Sequence, residues 1–381
     1  MQIHKAFKTR LYPDTKQRVQ LARHFGAARW VYNHFLQYKT DQYKETGKSA
    51  PYTKLSRELT VLKSKPEYAW LGAVSRQCVC NSLLNLDVSF NNFFNKKSKY
   101  PRFKKKRGRQ SFRVSAPFCQ VLDDGVHLPL IGKIKCELKV PKEYKLYSIT
   151  VSKAPTGKYF ASINYECAIQ DPVIDETKPV IGVDFGIKTF ITASDGRKIE
   201  HPKPFADGLR RLKRLSRILS RRKVGSNRRN KTRFRVALQH EKIANIRADF
   251  LHKLSRKMIA ENQGIYIEDL NLEGMKRRYG MYIGDLGWAE FTRQLLYKGV
   301  WYGCDIFKID RFFPSSKTCS VCNKINKNLQ LSQRQWVCGC GAAHDRDVNA
   351  AINILTYGRA DRNLRSQRGE VHSLVEARSQ E

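Results

Sequence analysis

The chain has 381 residues, enough for two or three domains. Its 72 Lys and Arg against 34 Asp and Glu give a formal net charge of +38, which points to a polyanionic partner. No run of about 18 apolar residues occurs, which excludes a transmembrane span, and the start MQIHKAFKTRLYP lacks the apolar stretch of a signal peptide.

Residues 3–10 read as a short strand. Pro13, Asp14 and Thr15 signal a helix start. Gly26 is expected to break that helix, and a second begins near Ala27 with Trp30, Val31, Phe35 and Tyr38 on one face. A longer helical stretch covers 69–95, its stripe of Val79, Leu83, Leu86, Phe90 and Phe93 being an ordinary buried face. The segment 96–109, KKSKYPRFKKKRGR, carries nine basic residues around Tyr100 and Phe103. Pro101 and Gly108 make it a loop, and aromatics among phosphate-binding cations suit nucleic acid better than a merely solvated face.

From about 111 to 170 the period changes to two. Ile134, Cys136, Leu138 and Val140 alternate with polar residues, as do Tyr159, Ala161, Ile163 and Tyr165 after the turn Pro155–Thr156–Gly157. This predicts an antiparallel, barrel-like β domain. Strand 3–10 can join it, which makes the helical segment an insertion. Residues 171–178 read as a linker, and an α/β pattern follows. VIGVDFG (180–186) is a buried strand, Asp195–Gly196 a hairpin turn, 205–240 a very basic helical stretch, and GIYIEDL (264–270) another buried strand. A helix is expected at 288–302, a strand at 305–310 and a helix at 347–356. The polar tail from about 358 is expected to be disordered.

Three acids stand out. Asp184 sits inside an apolar strand, where a carboxylate is costly unless paired or metal-bound. Glu268 closes a second apolar strand, and Asp347 begins the helix DVNAAINIL. Two strand carboxylates and one at a helix start can converge on one point, and such a cluster repels itself unless cations fill it. Mg2+ takes carboxylate oxygens and keeps waters for a phosphate substrate, and two such ions can activate a water and stabilise a leaving oxygen. Asp345 or Asp347 taken alone could be a helix cap, and Asp269 reads as a strand-end acid and Asp195 as a turn residue.

Cys319-Ser-Val-Cys322 is followed after fifteen residues by Cys338-Gly-Cys340. Two close pairs at this separation point to one tetrahedral Zn2+, and four thiolates leave no open position for substrate, so the site is structural. His344 is an alternative ligand, and the single residue between Cys338 and Cys340 makes that pair tighter than average. The six other cysteines fit small buried side chains in a reducing compartment.

With these residues go RLYPDTKQ…ARWVYNHFL (11–36), IGVDFGIKTF (181–190), HEKIANIRADFLHKLS (240–255), IYIEDLNLEGM (265–275), GWAEFTRQLLYK (287–298), FFPSSKTCSVC (312–322) and CGCGAAHDRDVNAAINIL (338–355). The sequence resembles the TnpB family of transposon-encoded RNA-guided nucleases, related to type V CRISPR effectors. The resemblance implies a multidomain α+β and α/β protein. A β-barrel wedge domain would span 1–10 and 110–172, with a helical recognition insert at 11–109. An RNase H-like (RuvC) nuclease domain would span 178–311 and 344–357, with an inserted zinc ribbon at 312–343 and a tail at 358–381. It implies a guide RNA from the transposon end, double-stranded target DNA cut beside a short target-adjacent motif, and a prokaryotic cytoplasmic, nucleoid-associated location. The family's catalytic acids fall on Asp184, Glu268 and Asp347. Nucleic-acid contacts are expected from Tyr52, Arg76, Gln77, Asn81, Lys104, Lys105, Arg107, Arg210, Arg214 and Arg221. The rival reading is a nucleic-acid-binding regulator of transposition that does not cut; a guide-independent RuvC-type nuclease is a third.

Overall fold

The computed structural model describes residues 2–137, 144–187, 189–271, 274–275, 286–330 and 332–367. The chain divides into two units, Met1–Ile169 and Gln170–Glu381, with the change of unit close to the linker read from the sequence. No helix among the described residues is long and apolar enough to cross a membrane.

In the first unit, β1 (Gln2–Tyr12) is followed by α1 (Thr15–Thr46), α2 (Tyr52–Ser64), a 3-10 helix (Pro66–Ala73) and α3 (Arg76–Phe94). Six strands come next: β2 (Gln110–Ser115), β3 (Gln120–Leu122), β4 (Gly125–Leu128), β5 (Gly132–Cys136), β6 (Lys145–Lys153) and β7 (Tyr159–Ala168). They form one antiparallel sheet with β1 in the order β2-β6-β7-β1-β5-β4-β3, so the first strand does belong to it and the helices are inserted between β1 and β2. Among the described residues no ladder joins β2 to β3, so the pairing leaves the sheet open. Leu138 and Val140, read as part of the alternation, lie outside the described residues.

Gly26 does not break the first helix. α1 runs 32 residues without interruption, from an Asp14–Gln17 capping box to Gly47 in the left-handed region. A mid-helix glycine costs about 1 kcal/mol relative to alanine. The buried stripe Leu21, Phe25, Ala28, Val31 and Phe35 on the same helix outweighs that. The stretch 69–95 is two elements, because the 3-10 turn ends at Val74 and Ser75 begins α3 as its N-cap, its amide donating to His24 Nε2 at 3.0 Å.

The second unit begins with β8 (Val180–Phe185), β9 (Thr189–Ala193) and β10 (Lys198–Glu200), an antiparallel meander. α4 (Lys203–Ser220) and α5 (Asn227–Glu261) follow, then β11 (Gly264–Glu268), α6 (Trp288–Tyr302) and β12 (Asp305–Ile309). The sheet order is β10-β9-β8-β11-β12, with β11 parallel to both β8 and β12. The short strands β13 (Gln335–Val337) and β14 (Ala343–Asp345) pair antiparallel, and α7 (Arg346–Gln367) closes the described chain.

Two boundaries differ from the sequence reading. The basic stretch 205–240 is split between α4 and α5 by a turn at Gly225, with Ser226 capping α5 through its side chain. The expected disordered tail instead continues α7 to Gln367. The Tyr357 ring stacks on Phe313 at 4.0 Å, and Arg362 pairs with Asp305, which anchors the extra turns. Residues 368–381 lie outside the described residues.

The sheet core is Ile181, Val183, Phe190, Ile265, Ile267 and Ile306, packed against Leu251, Met258, Phe291 and Leu295 of α5 and α6. α7 packs on β8. A Cβ at Gly182 would stand 2.1 Å from the Ala351 carbonyl oxygen, so only glycine lets the helix come this close to the strand bearing Asp184.

Candidate active site and cysteine cluster

Val183 pairs with Ile267 in the parallel β8–β11 ladder. The next residue on each strand is therefore an acid, Asp184 beside Glu268, and equivalent positions of a parallel pair share a face. Asp347 arrives from the first turn of α7. Asp184 feels both partners. Burial first, then the Glu268 and Asp347 charges, hold its carboxyl well above the usual carboxylate range, while Arg346 and Arg334 pull the other way. Burial also raises Glu268, opposed by a hydrogen bond from Ser315. Asp184 and Glu268 thus lie side by side and desolvated, with Asp347, half-buried at the start of α7, close enough for its charge to act on Asp184. That donor set fits hard divalent cations, which remove the repulsion and satisfy carboxylate oxygens.

Asp345 is held differently. Its Oδ1 accepts from the Asp347 and Val348 amides at 3.1 Å each, and its Oδ2 takes Lys198 Nζ at 2.7 Å. It caps α7, as its place before the helix suggested. Asp269 is likewise occupied, pairing with Arg311 and Lys308.

Two residues around the acids were not found from sequence. Ser315 Oγ donates to Glu268 Oε1. Arg334, from the segment leading into β13, donates from Nη1 to both Asp347 oxygens at 2.9 and 3.1 Å. Ser315 lies within FFPSSKTCSVC, so its neighbourhood was marked; nothing local distinguishes Arg334 from the protein's other cations.

The four cysteine sulfurs lie within 4.8 Å of one another, with Cys319–Cys340 at 3.8 Å and Cys322–Cys338 at 3.6 Å. Four converging thiols fit a tetrahedral soft-ligand site. His344 Nε2 is 3.1 Å from Cys319 Sγ, with its ring against Trp336. Burial raises the Cys319 thiol, but the Cys322 and Val321 amides and His344 outweigh it and bring the thiol down to about 6. The loop carrying Cys319 is tied to α7. Asn349 Nδ2 donates to the Thr318 carbonyl at 2.7 Å and its Oδ1 accepts from the Ser320 amide at 3.0 Å. Asn353 Nδ2 donates to the Ser315 and Thr318 carbonyls at 2.8 and 2.6 Å.

The expected nucleic-acid contacts divide. Arg76 is exposed and Gln77 half-buried at the start of α3, with Tyr52 close enough to feel the Arg76 charge. Asn81 is corrected: it is 7% exposed and its amide donates to the Arg113 carbonyl at 3.1 Å, so it braces α3 on β2 and cannot reach a base edge. Lys104 has a structural role, its ammonium lying 3.7 Å from the Tyr32 ring centre while Asn33 brackets its backbone. Lys105, Arg107, Arg214 and Arg221 are exposed, and Arg210 pairs with Asp207.

Three family models match: "Probable transposase" over residues 162–279, "Cas12f1-like, TNB domain" over 288–354, and "Helix-turn-helix domain" over 1–48. The last span forms one strand and one uninterrupted helix here. A Streptomyces pristinaespiralis protein, provisionally named an RNA-guided DNA endonuclease, is 38% identical over 365 residues, covering 94% of this chain and 90% of its own. Escherichia coli K12 InsQ, named likewise, is 32% identical over 376 residues, covering 93% and 92%. TnpB-like protein L79 of Acanthamoeba polyphaga mimivirus is 25% identical over 49% of the chain. Among solved structures, Cas12f1 with sgRNA and target DNA superposes with a TM-score of 0.52 at 14% identity, over 93% of this chain and 98% of that one, a likeness of fold. With relatives at 38% and 32% identity aligned over nearly their whole length, the chain belongs to the TnpB family.

Proposed function

We propose that the protein is an RNA-guided, Mg2+-dependent DNA endonuclease of an insertion sequence, cutting target DNA beside a short target-adjacent motif with a single RuvC-type site. The observation that carries the reading is the buried Asp184, beside Glu268 on the adjoining strand, whose ionisation both Glu268 and Asp347 oppose. The relatives' names supply the RNA guide and the DNA substrate.

The sheet order, an antiparallel meander followed by two parallel strands, supports an RNase H-like domain over 178–311 and from 344 onward. One Zn2+ on Cys319, Cys322, Cys338 and Cys340 makes 312–343 a zinc ribbon, and residues 1–10 and 110–172 form the wedge around the recognition insert 11–109. The location is cytoplasmic and nucleoid-associated.

Divalent cations, expected as a pair, supply an activated water and stabilise the leaving oxygen when bound. Asp184 and Glu268 would offer oxygens to such a cation from adjoining strands. Ser315 fixes the orientation of the Glu268 carboxyl. Arg334 holds Asp347 in place, and competes for the oxygens a cation would take. Tyr52, Arg76 and Gln77 read the flanking motif, Lys105 and Arg107 hold backbone phosphates, and Arg210, Arg214 and Arg221 bind nucleic acid.

The test is Asp184→Ala, purified with its RNA and given a matching target duplex in Mg2+. Cutting should be lost while RNA and target remain bound, because affinity comes from cations on phosphates. A variant that still cuts would remove Asp184 from the mechanism. Wild-type protein that binds its target and never cuts would favour the regulator.

A further inference from the structure

We infer that the α4–α5 hairpin is the anchor for unpaired segments of the bound RNA, and is not a surface for duplex DNA. The inference rests on the reading of the protein as RNA-guided.

Between residues 208 and 240 the sequence places thirteen Lys or Arg and no Asp or Glu. Two acids bracket this span at the root, Asp207, which pairs with Arg210, and Glu241. Beyond the root the sequence places cations alone, and their repulsion is relieved when a polyanion neutralises it.

Its backbone is nevertheless well built. α4 packs along α5, and a Cβ at Gly208 would come within 2.9 Å of Ile243, so the helices cross closely at the root. Gln239 Nε2 donates to the Gly208 carbonyl at 3.0 Å. At the turn, Arg229 Nη1 donates to the Leu219 and Arg222 carbonyls at 2.7 Å each, and Arg222 Nη1 to the Arg228 carbonyl at 2.6 Å. Two arginines are thus committed to backbone carbonyls, Arg229 to those at the end of α4 and Arg222 to one in the first turn of α5. The others point outward.

Their distribution decides the partner. Arg211, Lys213, Arg214, Arg217 and Arg221 are exposed on α4. At about 100° per residue they cover the whole arc of α4 away from its leucine seam. A straight duplex lies along one side of such a rod and leaves the far side uncompensated. The rod is two helices, about 20 Å across, too wide for a major groove of about 12 Å. A folded RNA can surround it.

α5 adds a second observation. Phe234 is 48% and Leu238 39% exposed. They are one turn apart, on the side of α5 away from the buried Thr232, Gln239 and Ile243, of which Gln239 and Ile243 meet α4. Arg233 and Arg235 flank Phe234. A ring and an aliphatic side chain framed by guanidinium groups suit an unstacked base, which a duplex does not present and an RNA loop does.

The test uses the RNA recovered from purified wild-type protein and a 30-base-pair DNA duplex, about the length of a target site, each titrated over a salt series. Arg211→Glu/Arg214→Glu/Arg217→Glu should weaken RNA binding roughly a hundredfold or more and flatten the salt slope by about two to three, near 0.7–0.9 per lost phosphate contact. Duplex affinity should change less than about threefold. Phe234→Ala/Leu238→Ala, at exposed positions that leave the seam intact, should cost RNA affinity roughly 5- to 30-fold with the slope unchanged. Equal losses for RNA and duplex, or no loss for either, would overturn the assignment while leaving the guided-nuclease reading standing. A wild-type protein that retains no RNA would overturn that reading, and this inference with it.

Discussion

The carboxylate cluster and the cysteine cluster both lie in the second unit, and they are assembled by opposite means. The acids are fixed by regular structure: two adjoining strands set Asp184 beside Glu268, and a helix close-packed on Gly182 delivers Asp347. The cysteines sit on loops around two short strands and converge through sequence spacing. The acids repel one another and are costly until a cation arrives, whereas the thiols gain a closed tetrahedron. A rigid frame is needed where like charges must be held together against their repulsion. Loops suffice where the ligand itself draws the donors in. Asn349 and Asn353 connect the two, holding the Cys319 loop on the helix that bears Asp347.

The comparison is tested most severely on the acids. Glu268→Ala and Asp347→Ala should match Asp184→Ala, each lowering the single-turnover cutting rate about a thousandfold or more, and double variants should be no worse, because the acids act as one unit. Fully additive losses would mean that the three do not share cations. For the cysteines, Cys322→Ser should remove stoichiometric zinc, measured by metal analysis, and lower Tm together with activity, since structural zinc contributes on the order of 10 kcal/mol to folding. A folded, zinc-free variant cutting at the wild-type rate would end the structural assignment.

The link between the sites gives a smaller effect. Ser315→Ala removes the hydroxyl donated to Glu268 and should raise the Mg2+ concentration for half-maximal cutting about 10- to 100-fold, the usual cost of losing a group that orients a metal ligand. Ser315→Thr keeps the hydroxyl and should recover most of the loss. If both variants titrate with Mg2+ as wild type does, Ser315 only supports the loop.

How much of this was legible follows from what is local. The strands of Asp184 and Glu268 announce themselves as apolar runs interrupted by an acid, and the zinc pairs by spacing. The unbroken α1 was not legible, because the cost of Gly26 is local and the buried stripe that overrides it is tertiary. The turn at Gly225–Ser226 carried a helix-stop and cap signal that the surrounding basic residues obscured. Asn81 looked like a base reader on an exposed face and is instead bonded to β2, a partner 32 residues away in sequence. Arg334 and Asp347 are 13 residues apart across the second cysteine pair, and the folded hairpin β13–β14 brings them together.

The repulsion itself can be measured without catalysis. Asp184 has a folded-state pKa above its unfolded value, with burial the first cause and Glu268 the second. The protonated carboxyl is compatible with the fold at low pH. As pH rises past the unfolded value and through the raised one, the folded state progressively loses stability relative to a free carboxylate. In chelator, Asp184→Asn should therefore have the same Tm as wild type near pH 4 and a higher one at pH 7–8, where wild type has to ionise or hold a proton against bulk. Mg2+ should close the gap by raising wild type alone. A wild-type Tm above that of Asp184→Asn at neutral pH in chelator would mean that Arg334 and Arg346 already neutralise the cluster.

The smallest expected effect is at Asp345, two residues from Asp347 and chemically identical to it. Asp345 acts through its two hydrogen bonds to the first turn of α7 and its pair with Lys198. Asp345→Ala should then cost about 1 kcal/mol, the usual loss for an N-cap, and leave cutting within a few-fold of wild type. Asp345→Asn separates the two contributions. Asparagine caps a helix as well as aspartate does, so the amide bonds survive, and only the half-exposed pair with Lys198 is weakened, worth well under about 1 kcal/mol at a surface. The expected order of stability is wild type, then Asn close behind, then Ala, with all three cutting. Loss of cutting in Asp345→Asn with an unchanged Tm would make Asp345 a cation ligand, because a neutral amide keeps the cap and gives up the charge. In that case the third acid of the cluster would be Asp345, and Arg334 would be holding Asp347 in a purely structural ion pair.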